Sequence, residues 1–129
     1  MTDIDRTTIV IEGHFKDASV SLPALTKLEA GTVLGAHAAD TKLAQFKSDA
    51  TTGEQNPSHV LMQDLDNSAG ESGKVYTNVR VLEQGMVNSA KLKFSGAETL
   101  ATIIANKGSV EHQLKNAGIL VRTSQSVVS

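Results

Sequence analysis

The clearest alternation of apolar and polar positions runs from Val75 to Leu82. Val75, Thr77, Val79 and Val81 fall on one face, and Tyr76, Asn78, Arg80 and Leu82 on the other. This period of two predicts a strand, punctuated at Gly85 and continued by Met86-Val87-Asn88. Shorter apolar segments precede it. Thr8 to Glu12 is a β-branched run suited to a strand. Leu22-Pro23 predicts a turn, because proline lacks a backbone donor and pushes its predecessor towards an extended conformation. Thr32-Val33-Leu34 then predicts a short strand between Gly31 and Gly35, two glycines placed for bends or close backbone approaches. Lys42 to Phe46 is expected to pair with it as a hairpin, and Val60 to Leu65 reads as a further strand.

At Ser95 the period changes. Ser95-Gly96-Ala97-Glu98 matches a capping box, and Leu100, Ile103 and Ile104 stand at helical spacing, predicting a short helix to about Asn106. Ser109 is placed to cap a second helix from Val110 to Asn116, with Leu114 inward and Gly118 as its left-handed terminator. Ile119-Leu120-Val121 then predicts a last buried strand. The polar stretches Lys47 to Ser58 and Asp66 to Gly73 read as exposed loops. There is no internal repeat and no linker long enough to divide domains. The expected fold class is therefore α+β, mainly β. It would be a small β-rich domain (residues 14–129) with one or two short helices near the C-terminus and an extended N-terminal arm (residues 1–13).

Composition narrows the partners. At 129 residues the chain can bury roughly two-thirds of the surface its unfolded form exposes, enough for one core. Twelve basic against fourteen acidic residues give a formal charge of -2, without the basic excess that binding a nucleic-acid backbone needs. Phe15, Phe46, Tyr76 and Phe94 are too few to stack bases or seat sugar rings. The absence of cysteine removes disulfides and thiolate chemistry, and fits assembly in a reducing cytoplasm. Asp3, Asp5 and Arg6 before a three-residue apolar run do not match a signal peptide, and no apolar run approaches the roughly 18 residues of a membrane span. Neither nucleic acid nor membrane is an expected partner.

The search for chemistry returns no constellation. His14, His37, His59 and His112 lie too far apart for a local metal-ligand pair, and read as surface or packing histidines. Asp64 and Asp66 begin a sequence like a calcium loop, but Ser68 stands at the third ligand position and Val75 where the closing glutamate belongs. Gly70-Glu71-Ser72-Gly73-Lys74 is too short for a phosphate loop and lacks the Ser or Thr after lysine. Ser58, His59 and Asp64 carry the residue types of a nucleophile triad without the shaped turn such a nucleophile needs. Gly31 to Gly35 lacks the third glycine and following helix of a dinucleotide fingerprint. The chain is accordingly expected to be no enzyme, with no metal and no cofactor.

Taken in order, the segments resemble the bacteriophage head decoration proteins, the lambda-type capsid cement family. The resemblance rests on Gly31-Thr32-Val33-Leu34-Gly35 after a polar arm, Val60 to Asp66, and Val75 to Gly85 with Met86-Val87-Asn88. Leu114 through Ala117-Gly118-Ile119, with Val121-Arg122 close behind, completes it. It implies a homotrimer on the outer surface of the expanded phage head, made in the host cytoplasm. There it would clamp neighbouring subunits of the major capsid protein against the pressure of packaged DNA. The chain departs from the family in lacking tryptophan, in its polar tail Thr123 to Ser129, and in its long Lys47 to Ser58 loop.

The arm is the expected capsid contact, through Thr7, Thr8, Ile9, Val10, Ile11 and Glu12. Its strand would either pair within its own domain or add to a capsid sheet edge, with Ile9 or Ile11 filling pockets. The alternative reading is a phage surface binding module, a head fibre base or host-surface adhesin, with recognition carried by the two polar loops.

Overall fold

The computed structural model describes residues 10–38, 42–48, 50, 53–94, 99–100, 102–104 and 108–122. In chain order its elements are β1 (Val10–Leu22), β2 (Thr26–Leu28), β3 (Val33–Ala36), β4 (Leu43–Gln45), β5 (Pro57–Leu61), β6 (Leu65–Asn67) and β7 (Lys74–Asn88). A 3-10 turn, Ser89–Lys91, precedes β8 (Ile103–Ile104), β9 (Gly108–Ser109), α1 (Val110–Ala117) and β10 (Ile119–Arg122). The main sheet runs β1-β4-β3-β5-β7-β10, and a further β1–β7 pairing closes its first five strands into a ring, with β10 outside. The fold is mainly β with a short helix near the C-terminus, as the sequence predicts.

Burial explains why the ring strands carry paired apolar residues. Val33 lies opposite Val60, and Val60 opposite Leu82. These three join Phe46, Val87, Val110, Leu114 and Ile119 in a cluster under α1. Their neighbours Leu34, Leu61 and Val81 point the other way, joining Val20, Leu22, Leu43 and Val79 in a second cluster that draws on all five ring strands. Successive side chains on a strand face opposite sides, so a sheet buried on both faces needs adjacent apolar residues. The β3–β4 hairpin forms as expected, with Leu34 opposite Gln45. Gly35 admits no side chain, because a Cβ there would stand 2.7 Å from the Glu54 carbonyl oxygen.

The helix follows its local signals. Ser109 caps α1 by accepting the His112 N–H, Leu114 is buried, and Gly118 ends the helix at φ 100°. That left-handed conformation is open to glycine at little steric penalty.

Five expectations are corrected. The first strand continues to Leu22 rather than stopping at Glu12, and Ala18, Val20 and Leu22 alternating with Ser19 and Ser21 form the period-two signal for it. The Val60 to Leu65 segment is two strands: β5 ends at Leu61, and the Asp64 carboxylate turns back to accept the Ala30 N–H at 2.8 Å. Part of the expected Asp66 to Gly73 loop is strand as well, since β6 pairs with β2 through Lys27 and Asp66. Ile103–Ile104 is not helical but pairs with Gly108–Ser109; residues 95–98, which hold the capping box, lie outside the described residues. Finally, β10 lies at the edge of the sheet, leaving Leu120 45% exposed while Ile119 is buried.

One register irregularity alters the strand with the strongest pattern. Ala18 lies opposite Val79 but Val20 opposite Tyr76, so the β7 side carries an extra residue, and Asn78 within this bulge has φ 56°. An inserted residue inverts the alternation. Tyr76 therefore packs on the ring interior with Val79 and Val81, while Val75 is 43% exposed.

Candidate functional site

The residues with chemical potential do not converge. Ser58 and His59, neighbours on β5, are hydrogen-bonded, Oγ to Nδ1, at 2.7 Å. The third member considered for a triad, Asp64, is engaged with the Ala30 backbone. Burial, with Lys16 nearby, holds the His59 imidazole below its usual range, and Glu83 opposes the shift. Asp66 faces away from Asp64 in function: its carboxylate accepts hydrogen bonds from the Ser68 hydroxyl and backbone, which hold its titration below the ordinary carboxylate range. Among the described residues no group of three His, Asp or Glu is placed to hold a metal ion.

The glycine-containing loop after β6 is tied down by protein groups. The buried Asn67 side chain donates through Nδ2 to the carbonyls of Pro23 (2.9 Å) and Ser72 (3.1 Å), and the Leu25 N–H donates to the Gly70 carbonyl at 3.1 Å. The other polar loop also folds back, with Gly53 and Pro57 buried and Glu54 lying against Gly35.

What the fold does present is strand edge. Of the expected capsid-contacting residues, Thr7, Thr8 and Ile9 lie outside the described residues, while Val10, Ile11 and Glu12 open β1. Their backbone pairs internally: Val10 lies opposite Val87 and Glu12 opposite Met86, with an irregularity between them. That ladder continues to Leu22 opposite Lys74. On its other side β1 pairs, among the described residues, only at Val20 with Leu43 of β4. The stretch from Val10 to about Asp17 therefore has one edge filled by its own β7 and the other unpaired among the described residues.

Two side chains to which the sequence assigns no site role stand on this ribbon. Phe15 is 42% exposed, and the Arg80 guanidinium from β7 lies 5.6 Å from its ring centre. A cation over an aromatic face is attracted by the ring quadrupole. This keeps an apolar ring partly covered at the surface. The signal available was the β1 alternation, which places Phe15 opposite Leu82 once the strand is extended.

A family model described as bacteriophage lambda head decoration protein D matches residues 8–119, most of the chain and all of the ring. No curated protein matches it.

Proposed function

Since the chain belongs to the bacteriophage lambda head decoration protein D family, we propose that it assembles as a trimer on the outside of the expanded phage head. There it clamps neighbouring major capsid subunits against the pressure of packaged DNA. The family places the protein on the virion capsid in a structural role. The finer reading is supported by one observation, the edge of β1 that stands unpaired among the described residues directly after the arm.

A capsid strand laid along that edge, or the arm laid along a capsid sheet, supplies backbone hydrogen bonds at regular spacing, with alternate side chains filling pockets. Thr7, Thr8, Ile9, Val10, Ile11 and Glu12 are the residues in this role. Ordering an arm on contact consumes part of the interaction energy, so one arm binds weakly. Three arms on one trimer act at high effective concentration, and a weak single contact becomes durable.

Cosedimentation with phage heads tests the reading. Binding to expanded heads is expected, and binding to neither expanded nor unexpanded heads would overturn it. Removing residues 1–9 spares every described strand and should abolish head binding while leaving the fold; undiminished binding would overturn the arm mechanism.

A further inference from the structure

We propose that Phe15 anchors the head contact: a segment of the major capsid protein adds as a strand along Gly13 to Asp17 of β1 and sets an apolar side chain against the Phe15 ring. The proposal rests on the capsid reading above and carries the contact from the arm into the body of the protein.

Gly13 to Asp17 are exposed in succession, so both faces of β1 stand in solvent there. One edge of this stretch is filled by β7, and the other is unpaired among the described residues. Five residues make a strand of ordinary length, so the stretch has backbone room for one complete added strand. It also follows directly on Val10 to Glu12, and is continuous with the residues assigned to the head contact.

The side chains are not those of an edge left to solvent. Edge strands are guarded against chance pairing by charged groups, lysine above all. Lys16 and Asp17 fit that role, and Phe15 does not: one of the chain's four aromatic residues stands beside them, 42% exposed. Phe15 lies opposite the fully buried Leu82, and Asp17 opposite Arg80, so these four share one face of the ladder. On that face the Arg80 guanidinium lies 5.6 Å from the centre of the Phe15 ring. Leu82 and Arg80 both belong to β7, whereas on the unpaired side no described strand supplies the ring with a neighbour.

A strand added on that side brings a side chain to about 4.5–5.5 Å from Phe15 between Cβ atoms, where aromatic rings pair favourably with β-branched or aromatic partners. The occupant is therefore an extended segment with such a residue at this position. Attraction to Arg80 holds the ring in place beforehand, so little side-chain order has to be gained on contact. Aromatic residues are enriched in the buried centre of protein interfaces.

Cosedimentation of the full chain with expanded heads, at graded protein concentration, tests this. Phe15→Thr removes the ring and keeps a residue suited to a strand. Its half-saturating concentration should rise about tenfold or more, the scale of an interface anchor, and Phe15→Leu should recover part of the loss. A ring that only shelters Leu82 gives the opposite pattern, a shifted urea unfolding midpoint with unchanged head binding, and overturns the anchor. If Phe15→Thr does not fold, a photo-crosslinking benzoylphenylalanine at position 15 keeps an aromatic ring and decides the matter. A crosslink to the major capsid protein is expected; a crosslink only to another copy of this chain, or none on heads, overturns the anchor. In each of these failures, head binding by the wild-type chain leaves the capsid reading standing. A wild-type chain that binds no heads overturns both.

Discussion

The Ser58 hydroxyl lies 2.7 Å from His59 Nδ1, while the opposite ring nitrogen, Nε2, is buried without a hydrogen-bond partner among the described residues. The ring is thus held neutral by its surroundings, chiefly burial and then Lys16, against the pull of Glu83.

A pH dependence follows. In the unfolded chain this histidine titrates near 6.5, and in the folded chain it titrates lower. Above pH 6.5 both states are neutral and the full stability is present. As pH falls below 6.5 the unfolded chain takes the proton first, so stability is lost down to the folded pKa. Urea unfolding at pH 7.5 and 5.5 should show a loss that shrinks in His59→Leu. An identical loss in both proteins would refute the assignment.

The two apolar clusters should behave as separate units. Leu61 is buried in the ring interior and Leu114 under α1. Leu61→Ala and Leu114→Ala should each cost about 2–5 kcal/mol. The double variant should match their sum within about 0.5 kcal/mol. Val60→Ala with Leu114→Ala, both in the outer cluster, should depart from the sum, as read by denaturant unfolding.

The ends of α1 can be tested singly. Ser109→Ala removes the acceptor for the His112 N–H and should cost about 1 kcal/mol. Gly118→Ala forces a side chain onto a backbone at φ 100°, with its Cβ 3.1 Å from Gln84 Cγ. It should cost more than about 1 kcal/mol. Thermal unfolding midpoints give both values.

Asn67→Ala takes away the donor shared by Pro23 and Ser72. A loss of about 1–3 kcal/mol is expected for abandoning partly buried carbonyls. The loop at residues 68–73 should also become a site of limited proteolysis. An unchanged digestion pattern would show that Asn67 does not hold the loop.

Which features were legible in the sequence depended on how locally they are determined. Ser109, Leu114 and Gly118 act within one helix, and each stands where its residue type predicts. The β3–β4 hairpin was readable for the same reason. Strand β6 was not, because Asp66 and Asn67 are turn residues by composition; it is a strand because Thr26–Leu28 comes alongside, with three strands between them in sequence. Ile103 and Ile104 offered too few apolar positions to separate a helix turn from a short strand, and pairing with Gly108–Ser109 decided it. The bulge at Asn78 is set by the partner strand, so the face assigned to Val75 was legible only after the register was known. For the site, the arm was visible as a β-branched run, whereas the open edge of β1 is a property of the sheet and of no single residue.

The long β1–β7 ladder also determines how the molecule carries force. Strand β1 begins where the arm ends and finishes at Leu22, opposite Lys74 of β7, a contour of about 43 Å at ~3.3 Å per residue. Tension applied at the arm and resisted at the far end of β7, where Lys74 lies opposite Leu22, runs along the strand axis and passes from one strand to the other. The hydrogen bonds between β1 and β7 are then loaded in shear, all together, instead of being peeled open one after another. On the proposed clamp, a swelling shell pulls on this protein in the direction in which its ladder yields least.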